Sequence, residues 1–138
     1  MKSLFILPML LMLSLFSYSQ KNKSLNGTWK LVSAKNGSLP TANVAEATPQ
    51  INYIKIFGPK HFVAVTYLNN GNAVRTIGGT YQLKKDQYTE DIVYADEKNN
   101  LQNTQSVFSI KLEKNKMYIT GKIANGNLDL SEVWERVE

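Results

Sequence analysis

The chain contains no cysteine, and that absence excludes a disulfide framework, a thiolate metal site and a lipid-modified cysteine at its N-terminus. A single histidine, His61 beside Lys60, offers no ligand cluster for structural zinc, and haem ligation has no further support, so no cofactor or metal is expected. No run of Lys or Arg exceeds two residues, which argues against nucleic acid as a partner. No Gly-rich phosphate loop precedes a helix, and the hydroxyl of Ser33 has no His and Asp arranged around it. Beyond residue 19 no segment sustains a helical period; one brief turn at Asn43 to Ala47 is expected, confined by Pro40 and Pro49.

The first 19 residues read as an address. Lys2 supplies a positive start, Leu4 to Phe16 is apolar apart from Pro8 and Ser14, and Ser17-Tyr18-Ser19 places small residues before Gln20. Cleavage is expected between Ser19 and Gln20, with residues 20–138 forming one domain. The apolar stretch is too short for the roughly 20 residues of a membrane span, so no integral span is expected after cleavage. The remaining 119 residues carry 15 Lys and Arg, without Lys2, against 11 Asp and Glu, scattered between turns and strands. An exported domain without disulfides must be held by packing alone. That points to a bacterial protein that is periplasmic or secreted.

Eight short runs rich in β-branched and aromatic residues follow, separated by Gly, Asn, Pro and Asp. They are Thr28 to Ala34, Ile51 to Phe57, His61 to Leu68, Ile77 to Leu83, Gln87 to Ala95, Thr104 to Glu113, Lys116 to Ile123 and Leu128 to Val137. Phe108, Ile110 and Leu112 alternate with Ser109 and Lys111, as half-buried strands require. The connections alternate in length: Asn36 to Gln50 is long, Gly58-Pro59-Lys60 is short, and Asp96 to Asn103 is followed by Lys114-Asn115. Alternate loops of an up-and-down barrel lie at opposite ends, so this pattern predicts an all-β, eight-stranded antiparallel barrel with long loops at one mouth. Gly78-Gly79 inside a strand marks a bulge or sharp coiling.

Gly27-Thr28-Trp29 opens the first run and Val133-Trp134-Glu135-Arg136 closes the last. With these residues at its two ends, the domain resembles the small lipocalin-like (calycin) barrels, in particular short bacterial ones of uncharacterised function. The resemblance implies that Trp29 lies at the closed end with Arg136 packed across its ring, and that Asn36 to Gln50 serves as a lid. Larger lipocalins add a helix, a strand and often a disulfide, so their ligand specificity does not carry over. Physical chemistry supports the same clasp independently. A guanidinium over an indole face gains roughly 0.5–2 kcal/mol, and its N–H groups can reach backbone carbonyls.

Taking Trp29 as inward, alternation places Leu31, Tyr81, Leu83, Phe108, Ile110, Met117, Ile119 and Trp134 on the lumen, joined by Tyr67, Tyr88, Ile92 and Tyr94. On the second strand, Lys55 argues for Ile54 and Ile56 inward. From this set the expected ligand contacts are Tyr67, Tyr81, Ile92, Tyr94, Phe108, Ile119, Glu132 and Trp134. Glu90 and Glu132 share the inward register. Either one pairs with Arg136 while the other meets water at the mouth, or Glu132 accepts a hydrogen bond from a bound molecule; a catalytic pair ranks last, because no spacing sets their separation. The expected function is binding of a small hydrophobic or amphipathic molecule in the lumen. A side-chain-filled barrel whose open-end loops engage a protein is the alternative, and nothing in the sequence demands an enzyme.

Overall fold

The computed structural model describes residues 24–35, 51–98, 100–123 and 129–137. The expected signal peptide at 1–19, the stretch 36–50 with its expected helical turn, and the link 124–127 with Leu128 lie outside them. Eight strands run β1 Gly27–Lys35, β2 Ile51–Phe57, β3 His61–Leu68, β4 Ala73–Lys84, β5 Gln87–Ala95, β6 Thr104–Glu113, β7 Lys116–Lys122 and β8 Asp129–Arg136. Each pairs antiparallel with the next, and β8 pairs back onto β1, which closes the barrel. This is the all-β, eight-stranded architecture expected from the alternating runs. β4 begins four residues before the expected Ile77, because Ala73 to Thr76 continue the ladder on β3.

Three connections are short and gather at one end: residues 58–60, 85–86 and 114–115. Lys85 and Lys114 open their two-residue turns at φ 55° and 52°. That end is the base. Trp29 is fully buried there, its indole N–H donating to the Leu25 carbonyl at 2.8 Å. The Arg136 guanidinium carbon lies 4.3 Å from the Trp29 ring centre, and its Nη2 donates to Ser24 O at 3.0 Å while Nη1 donates to Asn26 O. The segment before β1 is thereby tied across the bottom of the barrel, with Leu25 buried under it. Above the clasp, Phe57, Phe62, Tyr88, Met117 and Trp134 fill the interior. Phe57 meets Tyr81 edge-on at 5.0 Å and Tyr88 stacks on Phe108 at 6.1 Å.

Bulges interrupt the alternation at defined places, and each re-aims a side chain. On β5 Val93 is an extra residue: Gly78 pairs with Tyr94 and Gly79 with Ile92. Both glycines are required by this close approach. A Cβ on Gly79 would sit 1.9 Å from the Asp91 carbonyl oxygen, and one on Gly78 would strike the Tyr94 ring at 2.4 Å. On β1 Val32 is the extra residue, after which Ala34 stands opposite Glu132.

These registers correct the inward set in three places. Lys55 is buried and faces the lumen, opposite Trp29 and Ala64, so Ile54 and Ile56 turn outward and Ile56 is exposed. Tyr94 lies on the outer face, 44% exposed, because the Val93 bulge shifts the alternation beyond Ile92. Tyr67 pairs with Asn52 on the face opposite inward Thr66 and Tyr53, since Phe62 at the base sets the register of β3.

Candidate functional site

Away from the base the lumen opens into a cavity of about 60 Å³ near the ends of the strands that carry the longer connections. Tyr53, Arg75, Ile77, Ile92, Leu101 and Leu130 line it, with Phe108, Ile119 and Ile123. Beside Arg75 and the Tyr53 hydroxyl, four further polar groups share these walls: Lys55, Glu90, Ser106 and Glu132. Such placement follows from pairing, for cross-strand partners share a face. Glu90 stands opposite Ser106, and Glu132 opposite Ile119 and Ala34.

Lys55 crosses the interior to Glu90. Its ammonium forms an ion pair with Glu90 Oε1, and both side chains are only 6% exposed. The same carboxylate oxygen accepts the Tyr88 hydroxyl at 2.5 Å. Four rings surround the ammonium, with centres 5.3 Å away for Trp134, 5.4 Å for Phe62, 5.7 Å for Tyr88 and 5.9 Å for Phe57. An isolated buried ammonium would be prohibitively costly; here a carboxylate and four negative ring faces offset the lost hydration.

Glu132 is placed differently. It is 5% exposed, and Oε2 accepts the Trp134 indole N–H at 2.9 Å. Among the described residues no other hydrogen bond reaches this carboxyl. Burial pushes its pKa from 4.5 up to about 7; Lys55 and the Trp134 N–H pull it down, and the Glu90 charge adds to the rise. Desolvation also lifts the Tyr53 and Tyr88 hydroxyls above the usual phenol value, reinforced by the two carboxylates, so both phenols stay neutral and can donate. Thr66, 7% exposed, has a buried hydroxyl with no hydrogen-bond partner among the described residues. Its cross-strand neighbours Tyr53 and Arg75 both line the cavity, so it shares their face.

Of the residues expected at a ligand site, Ile92, Phe108, Ile119 and Glu132 line the cavity. Trp134 lies buried below it and holds Glu132. Tyr81 belongs to the base, donating from its hydroxyl to Gly58 O at 2.8 Å. Tyr67 and Tyr94 face outward. Neither carboxylate pairs with Arg136, whose guanidinium is taken up by backbone carbonyls; Glu90 has Lys55 instead. Tyr53, Lys55, Thr66 and Arg75 were missed. A signal for the first two existed, since Tyr53-x-Lys55-x-Phe57 shares the period of the aromatics, whereas Ile54 and Ile56 are as content on an outer face.

Among the described residues no group of His, Asp and Glu could hold a metal ion, and no helix is long and apolar enough to cross a membrane. The barrel is similar to two solved structures. One is an uncharacterised protein from Bacteroides eggerthii, 16% identical, with a TM-score of 0.53 over 82% of this chain and 99% of that one. The other is a lipocalin-like protein from Bacteroides uniformis, also 16% identical, with a TM-score of 0.54 over 81% of this chain and 97% of that one. At such identity the likeness is one of fold. No curated protein matches the sequence significantly. A family model matches residues 24–138, and the chain belongs to that family, described as a domain of unknown function (DUF4488).

Proposed function

We propose that this is an exported lipocalin-like protein that binds a small, mainly apolar molecule in the lumen, entering through the end opposite Trp29. The observation that carries the reading is the asymmetry of the interior. Aromatic side chains fill the base, whereas the upper part keeps a cavity walled by Tyr53, Ile92, Leu101, Phe108 and Leu130 around a buried carboxyl, one oxygen of which meets no donor among the described residues. Apolar walls with a few placed polar groups are the ordinary composition of a small-molecule site. Desolvation supplies affinity there, and Glu132 with Tyr53 supplies orientation. Export rests on the N-terminal Lys2, the apolar stretch and Ser17-Tyr18-Ser19, and periplasm or extracellular space is the proposed location.

Native mass spectrometry of protein purified from its source, followed by extraction and identification of any bound compound, tests the reading. A retained molecule that displaces an apolar dye from the refolded protein is the expected result. A ligand-free protein that takes up no dye would replace it with the filled-barrel alternative, whose working surface is the open-end loops.

A further inference from the structure

The buried interior holds two carboxyls and one ammonium. Glu90 is satisfied by Lys55 and by the Tyr88 hydroxyl. Glu132 lines the cavity with one oxygen held by Trp134 and the other meeting no hydrogen-bond donor among the described residues. Thr66, opposite the cavity-lining Tyr53 and Arg75, adds a buried hydroxyl with no hydrogen-bond partner among the described residues. We infer that the group recognised in the lumen is a cationic amine on an apolar body, its ammonium seated against Glu132 beneath Tyr53; this rests on the lumen-binding reading above.

The states of Lys55 and of Glu132 favour a cation over an anion or a neutral group. Lys55 is already engaged by Glu90 and four ring faces, so it is not open to a ligand carboxylate. Arg75 also lines the cavity, half-buried, and its charge acts on Tyr53 as well as on Asp96, so a ligand carboxylate held by Arg75 is the competing outcome that the hexanoate measurement reads. An anion entering the cavity would also meet Glu132. An ammonium, in contrast, brings N–H donors to the Glu132 carboxylate, whose second oxygen meets no hydrogen-bond donor among the described residues. Tyr53 and Trp134, with ring centres 5.2 Å apart, place aromatic surface beside that position. The cavity of about 60 Å³ is roughly twice the volume one water occupies in the liquid, enough for the ammonium and its first carbon. The rest of the ligand extends past Leu101, Ile123 and Leu130.

Binding is then linked to protons. The groups facing Glu132 are Tyr53 and Lys55 on β2, Arg75 on β4, and Tyr88 and Glu90 on β5. Its paired neighbours on β1 and β7, Ala34 and Ile119, carry no charge. With Glu132 half protonated near pH 7 in the free protein, an ammonium drives off its proton. Amine affinity is flat above that pH and falls about tenfold per unit below it.

The test measures n-hexylamine, n-hexanol and hexanoate by titration calorimetry at pH 6 and pH 8, in two buffers of different ionisation enthalpy. The expected result is hexylamine at least about tenfold tighter than hexanol at pH 8, about tenfold weaker at pH 6 than at pH 8, and proton release at pH 6. Glu132→Gln should reduce the preference over hexanol to within about threefold while hexanol binding persists; should that variant not fold, proton release by the unaltered protein decides alone. Hexanol or hexanoate binding as tightly as hexylamine at pH 8 overturns the amine inference and leaves lumen binding standing. Failure of all three probes to bind overturns both.

Discussion

The two ends of the barrel use the same alternating strands and treat their polar atoms in opposite ways. At the base the polar groups of the clasp and of Tyr81 have local partners: the Trp29 indole meets Leu25 O, the Arg136 guanidinium meets Ser24 O and Asn26 O, and the Tyr81 hydroxyl meets Gly58 O. Towards the mouth the partners come from across the barrel, as with Lys55 and Glu90, or are missing among the described residues, as with Thr66 Oγ1. Complete satisfaction rigidifies and seals one end. Incomplete satisfaction at the other is a standing cost, of the kind that a bound molecule can relieve.

The contrast breaks most severely at the ion pair. Lys55→Met strands Glu90 in a dry interior and should cost about 3–5 kcal/mol in urea unfolding, while adding Glu90→Gln to it should return most of the loss. A single variant as stable as the double would show that Glu90 is not dependent on Lys55. Next in size is the pH dependence of Glu132. Its folded pKa is raised from 4.5 to about 7, so the folded state holds more protons than the unfolded one across that window, and stability falls as pH rises through it. The loss from this group is on the order of 2–3 kcal/mol between pH 4.5 and pH 8, and Glu132→Gln should flatten that limb of the stability profile.

At the base a smaller change is expected. Arg136→Lys keeps the charge and loses the planar stack and the forked donors, so it should lower stability by about 1 kcal/mol and Tm by a few degrees while lumen-probe affinity holds. An unchanged melting temperature would remove the clasp from the account. The smallest effect sharpens the boundary between inside and outside. Tyr67→Ala and Tyr94→Ala should each alter lumen-probe affinity by less than about twofold, whereas Tyr53→Ala should weaken it well beyond that.

The barrel, its strand count and its closed end were legible because they follow from period-two alternation and from loop lengths, which are local. Phe108, Ile119 and Glu132 were placed in the lumen by the same rule. Tyr94 was not, because one extra residue at Val93 reverses the face, and only the close approach of Gly79 to the Asp91 carbonyl reveals that the bulge lies on β5. Tyr67 was misplaced since an aromatic next to a threonine invites the inward assignment, yet Phe62 fixes Thr66 on that face. Lys55 reads as a solvent-facing residue until Glu90, 35 residues away in sequence, is brought opposite it.

By itself the sequence determined the number of strands and their up-and-down order, since hydrophobic period and turn chemistry act over short distances, whereas the clasp of Trp29 with Arg136, which the family resemblance implies, forms through the closure of β8 onto β1. Only the tertiary structure decided which charges enter the lumen. A buried lysine is tolerable where a carboxylate and ring faces from other strands converge on it, and the spare carboxyl of Glu132 exists only as the remainder of that pairing.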